Sequence, residues 1–299
     1  MRQFVFLILF AIAGQGFAAQ RNVGSATNQQ VFNVTGLVVE VTPEEKSIRI
    51  KHDEIPGYMP PMTMSFDVKD TNELAGVEAG HPVSFRMIVT ENYGWIDQVK
   101  VTGPKRNDPP TTGPFRLVRD VEPLEVGDRL PPYSFTNQAG KVFSTDDFKG
   151  KVWAINFLFT RCPFPTFCPQ TARYFGETQA KLLASEFAPT NWHLLSLSFD
   201  PEFDTPQVLS RFAEYYEAKP AQWTFATGAL IDVTAICDQL GLKFSRDERG
   251  GFDHNLRTVV IDADGRVKKI FIGNEWNPEV LAAEMTAALR AHQAPRQAR

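Results

Sequence analysis

The chain has 299 residues, of which 43% are hydrophobic and 22% are charged, and this composition excludes a disordered, collagen-like or mucin-like protein. Its 31 Lys and Arg residues against 35 Asp and Glu residues give a net charge of −4, so no basic surplus exists to bind nucleic acid. At about 150 residues per domain, the length predicts two domains. Three cysteines are too few for a disulfide-stapled scaffold, so any cysteine chemistry is expected at one place.

The N-terminus has the pattern of a secretory signal peptide over residues 1–18. Arg2 is followed by an apolar run over residues 4–14 and then by small residues, with a cleavage site at 16–18. The run is shorter than the roughly 20 residues that a membrane span needs. We therefore expect an exported protein in the periplasm, with no membrane span after cleavage. An uncleaved N-terminal membrane tether is the alternative.

Residues 30–103 alternate apolar and polar side chains in short runs that are separated by turn residues. The alternation predicts five strands, which we place at Val31–Val41, Lys46–His52, Met62–Val68, Pro82–Thr90 and Trp95–Thr102. Five short strands in a small domain favour a closed β-barrel, because closure removes exposed edges. Residues 104–124 are predicted to be a linker, since the stretch 103–114 contains four prolines and no apolar periodicity.

Residues 125–293 differ in pattern from residues 30–103, because apolar strands here alternate with helical segments. Buried strands are predicted at Lys151–Phe159 and Trp192–Phe199, and a hairpin is predicted from Arg257–Asp262 and Val267–Ile272. Helices are predicted over 169–183, Pro206–Ala218, Asp232–Leu240 and Pro278–Leu289. This order predicts an α/β thioredoxin-like domain, followed by a short tail over residues 294–299.

Cys162 and Cys168 lie between a buried strand and a helix that is predicted to open at Pro169. A helix N-terminus and the neighbouring Arg161 both favour the thiolate form, which attacks disulfides and binds metals. Three interpretations are open: a structural disulfide, a catalytic dithiol redox pair, or a site for a soft metal. The third cysteine, Cys237, follows the helical apolar pattern and is predicted to fill the core.

Three blocks in this half of the chain resemble the Sco/SenC copper chaperones. They are the FLFTR segment with Cys162-Pro163 and Cys168-Pro169, the segment from Asp200 to Pro206, and Asp253-His254 before the strand at Thr258–Asp262. The resemblance implies a thioredoxin-like fold in which Cys162, Cys168 and His254 bind copper, as Cu(I) or also as Cu(II). Five residues separate the cysteines here, against three in the family.

Two carboxylates and a hydroxyl within the second block have the appearance of an acid/base pair. We assign Asp200, Asp204 and Thr205 a structural role instead, because Asp204 or Thr205 is suited to cap the helix that opens at Pro206.

Three of the six methionines fall within six residues, at Met59, Met62 and Met64. In a strand Met62 and Met64 share a face, and His52 is on the preceding predicted strand. Thioether sulfur is soft and uncharged, so it favours Cu(I) or Ag(I) over Zn and Mg. The alternative is that these methionines fill the core of the barrel.

The segment from His52 to Met64 resembles the CusF-like periplasmic copper-binding domain, over residues 30–103. That family implies a five-stranded OB-like β-barrel that holds Cu(I) or Ag(I) through one His and two Met, here His52, Met62 and Met64. The family's capping Trp is missing, and Met59 stands near its place. Met59 is therefore a candidate third thioether ligand, and Tyr58 is the alternative source of a ring.

The two signatures together predict a periplasmic copper chaperone that binds Cu(I) at two sites. The resemblance implies delivery to a copper enzyme, with the CuA centre of cytochrome c oxidase as the recipient. A first alternative is a thiol–disulfide reductase in which Cys162 and Cys168 are catalytic and a thioredoxin-like reductant is the partner. A second alternative is a copper buffer for metal tolerance. In the favoured interpretation the protein is not an enzyme.

Overall fold

The computed structural model describes most of both predicted domains, over residues 29–59, 61–90, 94–106, 119, 121–185, 191–246, 251–273 and 276–293. The predicted signal peptide, the tail and much of the predicted linker lie outside the described residues. Within the described part of the chain, no helix combines the length and the apolar composition that a bilayer crossing requires.

The N-terminal domain is a five-stranded antiparallel sheet in the order β3-β2-β1-β4-β5. Its strands are β1 (Gln30–Thr42), β2 (Ser47–His52), β3 (Met62–Asp67), β4 (Pro82–Val89) and β5 (Gly94–Val101). Each agrees with its predicted strand to within one residue, so the prediction is confirmed. A parallel bridge between Val68 and Ile96 brings the two outer strands together, as a closed barrel requires.

The C-terminal domain is built on a seven-stranded sheet in the order β14-β13-β8-β9-β10-β6-β7. The strands are β6 (Ser134–Asn137), β7 (Val142–Ser144), β8 (Val152–Leu158), β9 (Trp192–Ser198), β10 (Trp223–Thr227), β13 (Arg257–Ile261) and β14 (Val267–Ile272). The central strands β8, β9 and β10 are parallel, and every residue in them is buried. Burial on both faces explains their nearly continuous apolar sequences.

Helices cover this sheet and complete the thioredoxin-like fold. They are α1 (Cys168–Leu183), α2 (Pro206–Tyr215), α3 (Leu230–Gln239) and α4 (Pro278–Gln293), and α1 packs against α4. The helix that was predicted to reach Ala218 ends at Tyr215. The chain takes a left-handed conformation at Glu217, with φ of 53°, and a helix cannot continue through it.

A separate hairpin of β11 (Phe244–Arg246) and β12 (Phe252–His254) joins the two domains, because β12 lies against β3 of the barrel. Two ion pairs cross the same boundary, from Lys243 to Glu40 at 2.8 Å and from the buried Arg257 to Glu45 at 2.6 Å. The barrel is therefore docked on the side of the C-terminal domain that carries His254.

Candidate metal centres

The first centre is built on the loop between β8 and α1. Cys162 lies in this loop, and Cys168 is the first residue of α1, with Pro169 in the first helical turn. Both side chains are buried, and no disulfide joins them. The structure thus holds two thiol groups in the interior, at the end of the central strand.

His254, the last residue of β12, reaches the two cysteines from a distant part of the sequence. Its Nε2 atom is 3.8 Å from the Sγ atom of Cys168, and one ligand atom from each of the three residues lies within 4.8 Å of the others. The Nδ1 atom is 2.7 Å from the carbonyl oxygen of Asn255. When the Nδ1–H group donates a hydrogen bond to that carbonyl, Nε2 carries the lone pair of the neutral ring, and this lone pair is directed toward the thiols.

The two cysteines are electrostatically unequal. A hydrogen bond from the Cys168 thiol holds the pKa of Cys162 well below its usual range. Burial is the main reason that the pKa of Cys168 is raised well above its usual range. One thiolate and one thiol therefore share this interior position. A soft cation that replaces the shared proton gains two thiolate ligands, which fits copper.

Aromatic side chains pack around His254. The rings of Phe199 and Phe159 lie 5.0 and 5.7 Å from the imidazole ring, measured between centroids. Phe167, the residue before Cys168, lies 6.3 Å from it. These rings give the buried cysteines an apolar surrounding, while the half-buried imidazole of His254 stays accessible from one side.

Two buried carboxylates hold the cysteine loop in place. Asp204 accepts hydrogen bonds from Thr160 N at 3.0 Å, from Thr160 Oγ1 at 2.5 Å and from Ser198 Oγ at 2.5 Å. Asp200 accepts from Arg161 at 2.6 Å and from Arg246 at 3.2 Å. These residues position the loop from the end of β9. No pattern of neighbouring residues predicted this role of the two carboxylates.

Of the two residues expected to cap α2, Asp204 and Thr205, only Thr205 does so. Thr205 caps α2, and its side chain accepts from Val208 N at 3.4 Å. Asp204 serves the cysteine loop instead. Cys237 is fully buried within α3, as expected for a residue that fills the core.

The second centre lies at the end of the β2–β3 hairpin of the barrel. His52 pairs directly with Met62 across the two strands, and Ile50 pairs with Met64, so the imidazole and both thioethers share one face. Gly36 of β1 lies opposite His52 on the other side, and a Cβ atom there would come within 2.9 Å of His52 Cα. The glycine makes room for the buried histidine.

His52 has the same hydrogen-bond arrangement as His254, with Nδ1 bonded to a backbone carbonyl oxygen. Its Nδ1 atom is 2.7 Å from the carbonyl oxygen of Asp53, while its Nε2 atom is buried and has no hydrogen-bond partner among the described residues. Burial lowers its pKa, so the ring is neutral at physiological pH. An unpaired nitrogen in an apolar interior, beside two thioethers, fits a soft cation such as Cu(I).

Met59 and Tyr58 lie in the tight turn of this hairpin, which is closed by hydrogen bonds between Ile55 and Met59 in both directions. Met59 is buried, whereas the ring of Tyr58 stacks on Phe32 at 4.7 Å. The ring of Phe66 lies edge-on to His52, with centroids 5.7 Å apart. Met59 lines the same cleft as Met64 of the second centre, and Tyr58 packs against a different strand.

Comparison with known proteins agrees with this architecture. Residues 122–290, more than half of the chain, match the sequence model of the SCO1/SenC family, and the chain belongs to that family. Residues 31–101 match the family described as copper binding periplasmic protein CusF. The two resemblances and the two-domain fold are thus confirmed, and copper is confirmed as the metal of these families.

Relatives cover the C-terminal half. The SCO1 protein homolog of Bacillus subtilis is 31% identical over 152 residues, which are 50% of this chain and 76% of the relative. An SCO2-like protein of Rickettsia felis is 27% identical, over 50% of this chain and 72% of the relative. Among solved structures, a SCO1/SenC family lipoprotein from Bacillus anthracis is 30% identical with a TM-score of 0.48, covering 54% of this chain and 94% of that one.

Proposed function

We propose that this protein is a periplasmic copper chaperone that binds Cu(I) at two sites and delivers it to a copper enzyme. The observation that carries the proposal is the convergence of Cys162, Cys168 and His254, whose ligand atoms lie within 4.8 Å of one another although His254 is 86 residues from Cys168 in the sequence. The proposed ligands of the second site are His52, Met62 and Met64.

The two sites differ in a way that suits capture and delivery. Thioethers carry no proton, so the barrel binds copper without proton release and holds it weakly enough to let it go. Thiolates bind Cu(I) more tightly, and a pair that already contains one thiolate has only one proton left to lose. We propose the CuA centre of cytochrome c oxidase as the recipient, because the SCO1/SenC family implies it.

The first test is the amount of Cu(I) held per reduced chain after anaerobic loading and removal of excess metal with a competing chelator. We expect two Cu(I) per chain. Replacing Cys162 and Cys168 by Ser should remove one, and His52→Ala with Met62→Leu should remove the other. A chain that retains no copper would contradict the proposal.

A second test addresses delivery. A strain without the gene should assemble oxidase that lacks CuA, and a His254→Ala copy should not restore it. Normal oxidase in a strain that has become copper-sensitive would instead indicate a copper buffer.

The low pKa of Cys162 also supports a second candidate function, a thiol–disulfide reductase that keeps the cysteines of a recipient reduced. A reductase needs both cysteines but no third ligand. Turnover of a substrate disulfide that survives His254→Ala would identify this activity, whereas loss of copper binding with that substitution favours the chaperone.

A further inference from the structure

A cleft between the two domains is lined by one candidate ligand from each centre, Met64 of the barrel and His254 of the C-terminal domain. One wall belongs to the barrel and carries three methionines, Met59, Met64 and Met87. The opposite wall belongs to the C-terminal domain and carries His254 and Phe167. A sulfur ligand of one centre and the histidine ligand of the other therefore line the same cleft.

An ion pair beside His254 holds the two walls together. The Nε and Nη2 atoms of Arg49, on β2, both donate to one carboxylate oxygen of Asp253, and Nη2 also donates to Ser245 Oγ at 2.9 Å. Asp253 is almost fully buried and immediately precedes His254. The planar guanidinium, held at two atoms, fixes the angle between the barrel and β12 as well as their distance.

The turn that carries Met59 completes the barrel wall. Gly57 takes φ of 73° there, and the reciprocal hydrogen bonds between Ile55 and Met59 fold the chain back tightly. Met59 is thereby presented to the cleft together with Met64, which belongs to the barrel centre. Met59 is not needed for the one-histidine, two-thioether set, so it is available as an additional sulfur on the path.

We propose that Cu(I) passes within a single chain from the barrel centre to the cysteine centre across this cleft, with Met64, Met59 and His254 as successive ligands and Arg49 as a positioning residue. The inference rests on the proposed function, because it requires both centres to bind copper. It adds the route, the direction and the element that holds the two domains in register.

The step is a ligand exchange. The bonds from copper to His52 Nε2 and to the thioether sulfurs break, and bonds form to His254 Nε2 and to the two cysteine sulfurs. Copper remains Cu(I), so no electron is transferred. The Cys168 thiol releases its proton to solvent when its sulfur binds the metal. The stronger thiolate ligands give the exchange its direction from the barrel toward the cysteines.

Transfer within one chain differs kinetically from transfer between chains. Linked sites have an effective concentration in the millimolar range, so at about 10 μM protein the internal route should be roughly 100-fold faster. Its rate should also be independent of protein concentration. These two properties make the route measurable without identifying the recipient.

The experiment uses the full reduced chain and a chromophoric Cu(I) chelator as the copper donor, in stopped flow. Loss of the chelator signal reports uptake, and the ultraviolet thiolate–copper absorption reports arrival at Cys162 and Cys168. We expect fast uptake followed by a first-order arrival phase. Arg49→Gln should slow the arrival phase at least 10-fold without changing uptake or final copper content, and Arg49→Lys should restore part of the rate.

Matched controls are available within the barrel. Arg86 forms a two-point ion pair with Asp97 inside that domain, so Arg86→Gln should leave the arrival phase unchanged. Met59→Leu should slow the arrival of copper at the cysteines at least 10-fold. Met87 lines the same cleft, and Met87→Leu should leave the arrival rate unchanged. Equal slowing by Met59→Leu and Met87→Leu would overturn the assignment of Met59.

Failure of the route is distinguishable from failure of the proposed function. If both centres fill but the arrival rate rises in proportion to protein concentration, or is insensitive to Arg49→Gln, the internal route is wrong and the two-site chaperone stands. If no thiolate–copper absorption develops at all, copper binding at the cysteine centre is itself wrong.

Discussion

The buried carboxylate of Asp204 anchors the cysteine loop, and its removal tests whether that anchor sets copper affinity. It accepts three hydrogen bonds, from Thr160 N, Thr160 Oγ1 and Ser198 Oγ. Alanine leaves these donors without their acceptor in a dry interior. At about 1 kcal/mol for each lost bond, and more where a donor stays unpaired, Asp204→Ala should lower the free energy of unfolding by about 3–5 kcal/mol.

The same substitution should weaken copper binding. Thr160 is two residues before Cys162, so a released loop no longer holds the cysteine toward His254. Removal of an outer positioning group typically costs about 10–100-fold in metal affinity, and we expect a loss in that range at the cysteine centre. Competition titration with a Cu(I) chelator in a His52→Ala background isolates this centre.

Unfolding in urea, followed by tryptophan fluorescence, measures the stability of the same domain, which contains four of the chain's five tryptophans. Thr205→Ala is the matched control. It removes the cap of α2 next to Asp204 and should cost about 0.5–2 kcal/mol without changing copper affinity. If Asp204→Ala lowers the unfolding energy but leaves the affinity intact, the loop does not depend on this anchor and the reasoning is refuted.

Three further predictions concern buried or crowded positions. Burial lowers the pKa of His193 to about 3, against 6.5 unperturbed. Between these two pH values the imidazole is protonated in the unfolded chain but neutral in the folded chain, so acid favours unfolding. Stability should fall by about 2 kcal/mol between pH 7.5 and 5.0, and urea unfolding of His193→Phe should lack that part of the dependence. Gly273 has φ of 70°, and a Cβ atom there would lie 2.9 Å from Asp67 of the barrel, so Gly273→Ala should loosen domain docking. Limited proteolysis between the domains should then be faster than in the control variant Gly140→Ala. Gly140 has φ of 75°, but a Cβ atom there would have no neighbouring atom within 4 Å. Gly36→Ala places a Cβ atom 2.6 Å from Ile50 Cγ2 and should lower the affinity for Cu(I) at the barrel centre, as measured by chelator competition.

The local pattern of the chain was sufficient for the main elements of both domains. Strands such as Ser47–His52 and Val267–Ile272 were predicted to within one residue, because alternation and turn residues are local signals. Short elements were missed, including Ser134–Asn137 and the hairpin that ends in His254. Runs of three or four residues have too few positions for a period to be read, and their pairing is decided by the rest of the fold.

Residue type marked the cysteine pair and the methionine cluster as candidates for soft-metal binding, because thiolate and thioether sulfur favour soft cations. The resemblance to two families was needed to choose this interpretation over a disulfide, a redox pair or core packing. The pairing of His52 with Met62 followed from strand register, which the hairpin sequence largely determines. The approach of His254 to Cys168 did not follow from any local pattern, and only the resemblance to a family pointed to it.

The sequence by itself therefore determined the two domains, their classes and the chemical nature of both centres, since composition, periodicity and motif order are properties of neighbouring residues. Tertiary structure alone decided how the domains meet. The ion pair of Arg49 with Asp253 joins residues 204 positions apart, and the cleft between Met59 and His254 exists only because β12 lies on β3. Such contacts leave no periodic trace in a sequence, because each partner separately has the pattern of an ordinary polar surface residue.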